Sequence, residues 1–115
     1  MEITQRGDYM NMFRGSTPRV TLSSDDVDFT TCEEIIVTFL QGNKSNYHQV
    51  DVKKEDMEVS GTALTFRLTQ DDTLTFYRGK DRVFIQVKIK NDSDVVLVSE
   101  LGSFNMNEVL NEEVI

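Results

Sequence analysis

The run Glu34-Ile35-Ile36-Val37-Thr38-Phe39-Leu40-Gln41, closed by Gly42-Asn43, constrains the fold more than any other stretch of the chain. Its four consecutive β-branched residues, Ile35 to Thr38, have stiff side chains that suit a pleated surface. Alternation places Ile35, Val37 and Phe39 on one face and Ile36, Thr38 and Leu40 on the other. Both faces are largely apolar, so the expected strand is central and at least partly covered on each side.

Period-two patterning recurs on either side of this run. Pro18 can open a strand where its missing N–H does no harm, and Val20 and Leu22 then share a face. Gln41 to Ser45 forms a turn into Asn46–Lys53, where His48, Val50 and Val52 alternate with Tyr47, Gln49 and Asp51. A short strand over Met57 and Val59 turns at Ser60-Gly61 into Thr62–Thr69, with Leu64, Phe66 and Leu68 inward and Thr65, Arg67 and Thr69 outward. Thr69 to Thr73 predicts one helical turn capped by Thr69, with Asp71 and Asp72 near its positive end. Leu74 and Phe76 then lead from this turn to the core.

The second half continues the pattern. Val83, Ile85, Val87 and Ile89 define the inner face of a strand over Arg82–Lys90, and Asn91-Asp92-Ser93-Asp94 predicts a hairpin turn. The apolar run Val95-Val96-Leu97-Val98 predicts a further interior strand, and Leu101 and Phe104 extend its apolar surface past a bulge or bend at Gly102. Met106, Val109 and Leu110 have helical spacing. The expected fold is therefore all-β: a single antiparallel β-sandwich of about seven strands, immunoglobulin-like, with short helical turns. A small barrel is the alternative. Residues 1–15 are read as an N-terminal arm, 16–110 as the sandwich domain and 111–115 as a tail.

With 115 residues, 38% hydrophobic and 28% charged, the chain suits one soluble domain with one hydrophobic core. Twenty acidic residues against 12 basic ones give a net charge of −8, which argues against attraction to nucleic acid or an anionic membrane. Cys32 is the single cysteine, so no intrachain disulfide can form; it is read as a partly buried structural thiol. No window has the length and apolarity of a membrane span or signal peptide.

Motifs that carry chemistry are sparse. His48, the only histidine, lies on the face shared with Val50 and Val52 and is read as a packed residue. Asp25, Asp26 and Asp28, and Asp92 and Asp94, lack the spacing of a calcium loop and are read as solvated turns. Asp71 and Asp72 are adjacent, a spacing that does not set the separation two catalytic carboxylates need. Arg6-Gly7-Asp8 spells an integrin-recognition triplet, a match short enough to arise by chance. No catalytic residue, metal site or cofactor is expected. The candidate partner contacts are Tyr9, Met10, Met12 and Phe13 in the arm, with Tyr47, Tyr77 and Phe84 on the domain, because methionine and aromatic side chains make adaptable contacts.

Four segments carry a resemblance: Phe13-Arg14-Gly15-Ser16-Thr17-Pro18, Ile36-Val37-Thr38-Phe39-Leu40-Gln41, Leu64 through Thr73, and Val83-Phe84-Ile85-Gln86-Val87-Lys88. Together they resemble a family of small proteins of bacterial siphophages and prophages, over roughly Phe13 to Leu110. The resemblance implies a β-domain associated with phage structural genes, and its motifs mark folding positions. The function expected on this basis is a nonenzymatic structural or assembly protein of a phage or prophage, in its head, neck or tail, produced in the bacterial cytoplasm and acting in a virion or in its assembly. Its partners would be other phage structural proteins or further copies of itself. A carbohydrate-binding or host-recognition module, using Tyr47, Tyr77 and Phe84, is the alternative.

Overall fold

A computed structural model of the chain describes residues 1–7, 12–43, 46–76, 82–107 and 109–115. Nine strands are found among them: β1 (Thr4–Gly7), β2 (Arg19–Ser23), β3 (Cys32–Asn43), β4 (Asn46–Lys53), β5 (Glu58–Ser60), β6 (Ala63–Arg67), β7 (Val83–Asn91), β8 (Val96–Val98) and β9 (Gly102–Phe104). One short helix, α1 (Gln70–Leu74), joins β6 to β7. All strand pairs are antiparallel, in a sheet of order β1-β2-β6-β5 and a sheet of order β4-β3-β7, with β8 and β9 both paired to the far side of β7. The fold is the expected antiparallel sandwich. Its strand order is that of an immunoglobulin domain: β1, β2, β6 and β5 take the places A, B, E and D, and β4, β3, β7 and the β8–β9 strand take C′, C, F and G.

The alternating patterns explain the layers. Ile35, Val37 and Phe39 of β3 and Val83, Ile85, Val87 and Ile89 of β7 are all buried, facing Val20 and Leu22 of β2 and Leu64 and Phe66 of β6. As expected, β3 is central, paired with β4 on one side and β7 on the other. Phe39 sits where the sheets meet. Its ring packs edge-on against Phe66 of the opposite sheet at 6.0 Å and Phe104 of its own sheet at 6.1 Å, a favoured geometry for aromatic pairs. The inter-sheet disulfide of antibody domains has no counterpart, so aromatic and aliphatic packing joins the layers.

Helix α1 closes the passage from one sheet to the other. Thr69 accepts from the Asp72 N–H at 3.0 Å while the Asp72 carboxylate accepts from the Thr69 N–H at 2.9 Å, a reciprocal capping box. Behind it, the buried Thr73 hydroxyl donates to the Ser16 carbonyl at 2.9 Å and accepts from the Gly15 N–H at 2.8 Å. This fixes the start of the domain to the helix.

Four expectations are corrected. Thr4–Gly7, within the stretch read as an arm, forms edge strand β1, because its backbone can pair with β2 despite a weak apolar pattern. Val95 to Val98 do not form an interior strand: β8 is an edge, and these side chains are 39–50% exposed. Met106, Val109 and Leu110 do not lie on a helix. Instead Met106 is buried in extended chain beyond Phe104, and Asn107 bridges Phe13, with Asn107 N donating to Met12 O at 2.7 Å and Arg14 N to Asn107 O at 3.0 Å. Met12, read as a partner contact, is fully buried, since this bridge draws it beneath the C-terminal segment.

The bend at Gly102 is a bulge in the return strand. The pairing frame with β7 shifts by one residue between Val98 and Gly102, dividing what would be one strand into β8 and β9. Buried Ser99 holds the irregular point: its N–H donates to Val87 O at 2.8 Å, and its hydroxyl accepts from Val87 N at 2.8 Å. A Cβ at Gly102 would overlap the amide end of the Gln5 side chain and approach Ile85 Cγ2 to 2.8 Å, so a larger residue there would require the Gln5 side chain to move aside and Ile85 to shift.

Phe39→Ala removes the ring shared by both sheets and is expected to destabilise the domain by about 3–5 kcal/mol in urea unfolding. Leu40→Ala, one residue along but on the outer face, should cost less than half as much.

Candidate functional site

The outer face of the five-stranded sheet collects the side chains that β3, β4 and β7 turn away from the core. Leu40 lies directly opposite Phe84 on β7 and opposite Gln49 on β4, which places it diagonal to Tyr47. Tyr47 is 54% exposed and Phe84 41% exposed, so the two aromatics flank a half-buried leucine on an open surface. Further along, Ile36 stands between Lys53 and Lys88, and Val98 lies across from Lys88. Thr38 donates to the Asp51 carboxylate at 2.7 Å, and Gln49 reaches the same group at 3.1 Å. The result is a mixed face on which apolar side chains alternate with charged ones.

Of the expected partner contacts, the structure brings Tyr47 and Phe84 to this face. Phe13 lies elsewhere, 42% exposed at the end of the sandwich near α1, and Met12 belongs to the core. Tyr9, Met10 and Tyr77 lie outside the described residues. Sequence reasoning missed Leu40 and Ile36 as surface members, although their alternation with Val37 and Phe39 held the signal. It also missed the exposure of Val95 to Val98, because four adjacent apolar residues have no alternation to read.

Several of the polar groups singled out for chemistry have local structural partners. Asp28 caps a 3-10 turn over Phe29–Thr31, accepting from the Thr30 N–H at 3.0 Å and the Thr30 hydroxyl at 2.5 Å. These bonds favour its charged form and hold its carboxyl below the ordinary range. Asn91 accepts from the N–H groups of Ser93 and Val95, shaping the turn in which Asp94 adopts a positive φ of 61°. Asp72 is committed to its capping box. His48 is half-buried opposite Gln41 in the β3–β4 register. Among the described residues, no group of three or more histidine, cysteine, aspartate or glutamate side chains is arranged to hold a metal ion.

Arg14 is the principal polar link between separate parts of the chain. Its guanidinium donates to Phe76 O at 2.6 Å and Leu74 O at 3.3 Å, at the end of α1, and pairs with the Glu112 carboxylate. Positive charge at a helix C-terminus is favourable, and burial of most of the side chain strengthens the contact. An open groove near the opposite end is lined by Glu33, Glu34, Ile36, Lys53, Lys54 and Glu55, where Lys54 donates to Cys32 O at 2.6 Å.

Cys32 is 2% exposed, and burial pushes its thiol pKa up, against a smaller opposing effect of Lys54. No protein-family model matches the chain, and no curated protein matches it. No helix among the described residues is long and apolar enough to cross a membrane.

Two outcomes test these assignments. Arg14→Ala leaves carbonyls at the end of α1 without their charged donor and should cost roughly 1–3 kcal/mol, with faster amide exchange at Asn107 than in Arg14→Lys. Cys32 should react with a thiol reagent far more slowly in the folded chain than in urea. Because its folded pKa is raised, its contribution to stability is complete below the unfolded thiol pKa and falls as pH rises through the folded value; Cys32→Ser should remove that alkaline decline.

Proposed function

We propose that the chain is a nonenzymatic structural or assembly protein of a phage or prophage and acts through protein–protein contacts. The observation that supports this reading best is the concentration of exposed apolar side chains on one sheet: Tyr47 and Phe84 on its outer face, and Val95, Val96, Leu97 and Val98 at its edge. Large exposed apolar groups are common singly, but a set gathered on one sheet gives a partner a surface to cover. The charged residues interleaved with them supply register without making the surface uniformly adhesive. The phage assignment itself rests on the resemblance of the four sequence segments.

Quantitative mass spectrometry of particles and assembly intermediates purified from the source strain tests the proposal. The chain should copurify at a fixed ratio to the principal structural proteins. Absence from both fractions would overturn the assignment. Tyr47→Ala combined with Phe84→Ala should lower incorporation, while each replacement changes stability by less than about 1 kcal/mol.

A further inference from the structure

We propose that β8 is a strand-addition site for an extended segment of another protein, in which alternating apolar residues are flanked by lysine or arginine. The inference rests on the contact-based reading above and names the kind of partner and where it would pair. Asn91 N donates to Val95 O at 3.0 Å, and Ser99 N donates to Val87 O at 2.8 Å. In an antiparallel pair these bonds alternate along the strand, so Val95, Leu97 and Ser99 direct their backbone groups toward β7, and Val96 and Val98 direct theirs away from it.

Among the described residues, β8 pairs with β7 alone. The outward N–H and C=O groups of Val96 and Val98 therefore form an open template. Natural edges are commonly protected by shortness, lysine, proline or a bulge; β8 is only three residues long, but Val95 to Val98 contain no lysine or proline. The open edge ends at Val98, beyond which the bulge begins at Ser99 and the Glu100 N–H donates to Met1 O at 3.2 Å, while Asp94 turns the chain at the other end. The open edge is thus short, with apolar side chains that an added strand would cover on both faces.

The charges at its ends select the occupant. Asp92 and Asp94 lie before the strand and Glu100 after it; Lys88 and Lys90 stand beside Val98 and Val96 in the middle, and the Lys90–Asp94 pair at 3.5 Å is exposed and screened by water, so acidic charge is concentrated at the two ends. If a second copy paired antiparallel through Val96 and Val98, Asp94 would oppose Glu100 of the other copy. Parallel pairing in register would set each acid against its own equivalent. Both arrangements bring like charges together, whereas basic flanks on a different chain complement them.

The probe is a synthetic peptide of alternating valine and threonine with two lysines at each end, compared with the same peptide bearing glutamates at its ends. Titration calorimetry should show binding of the lysine-flanked peptide alone, and NMR should show protection of the Val96 and Val98 amides. Val98→Pro removes an outward donor while sparing the ladder to β7, and should weaken binding about tenfold or more with the native spectrum retained. The paired change Asp94→Asn and Glu100→Gln, which introduces no proline, should weaken binding severalfold and flatten its salt dependence.

No binding of the lysine-flanked peptide, or equal affinity in the wild type and both variants, would overturn the proposal. Self-association abolished by Val98→Pro would also overturn it, by making a second copy the occupant. Particle composition separates the two readings. Peptide binding by a chain absent from particles retains the edge site and rejects the phage role; normal particle incorporation of Val98→Pro retains that role and rejects the edge site.

Discussion

Pairing of β3 on both sides, with Phe39 beneath it, is the constraint on which the rest of the structure depends. One sheet is organised by the hydrogen bonds of β3 to β4 and β7, and the second is held against it by the side chains that β3 and β7 direct inward. The contacts of Phe39 with Phe66 and Phe104 couple the opposite sheet and the return strand at one position. Without a disulfide, the relative placement of the layers relies on close packing of this kind, for which even small changes in volume have a cost.

Packing alone would leave the ends of the sandwich poorly specified, because backbone groups there have no ladder to join. The chain satisfies them with individual polar residues. Thr73 ties the start of the domain to α1, Arg14 takes carbonyls at the end of that helix, and Ser99 replaces regular pairing at the bulge. Each bond is modest in water, but leaving a buried partner unsatisfied is expensive. These links make the two terminal segments part of the folded unit. Met12 is buried for the same reason, beneath the bridge between Phe13 and Asn107.

The same geometry separates core from exposed surface. The bulge at Ser99 and the turn at Asp94 confine β8 to a few residues, and its position outside β7 leaves its valines and leucine at an edge. Apolar composition at β8 therefore serves a different end from apolar composition at β7. In β7 alternate residues close the core; in β8 both faces remain partly exposed.

The alternation in Ile35–Leu40, Leu64–Leu68 and Val83–Ile89 determined an all-β sandwich, its inward residues and the central place of β3, because a period of two leaves one register that buries the apolar set. The capped turn at Thr69 was equally legible, since its chemistry is local. Only the tertiary structure decided that Thr4–Gly7 would pair, that Met12 would be covered, that Met106 would lie in extended chain and that Val95–Val98 would stand at an edge. Those outcomes depend on which distant backbone or side chain lies alongside, and apolar character by itself does not specify its neighbour. The aromatic surface was legible only in part: Tyr47 and Phe84 could be proposed separately, but their arrangement around Leu40 came from the register of three strands.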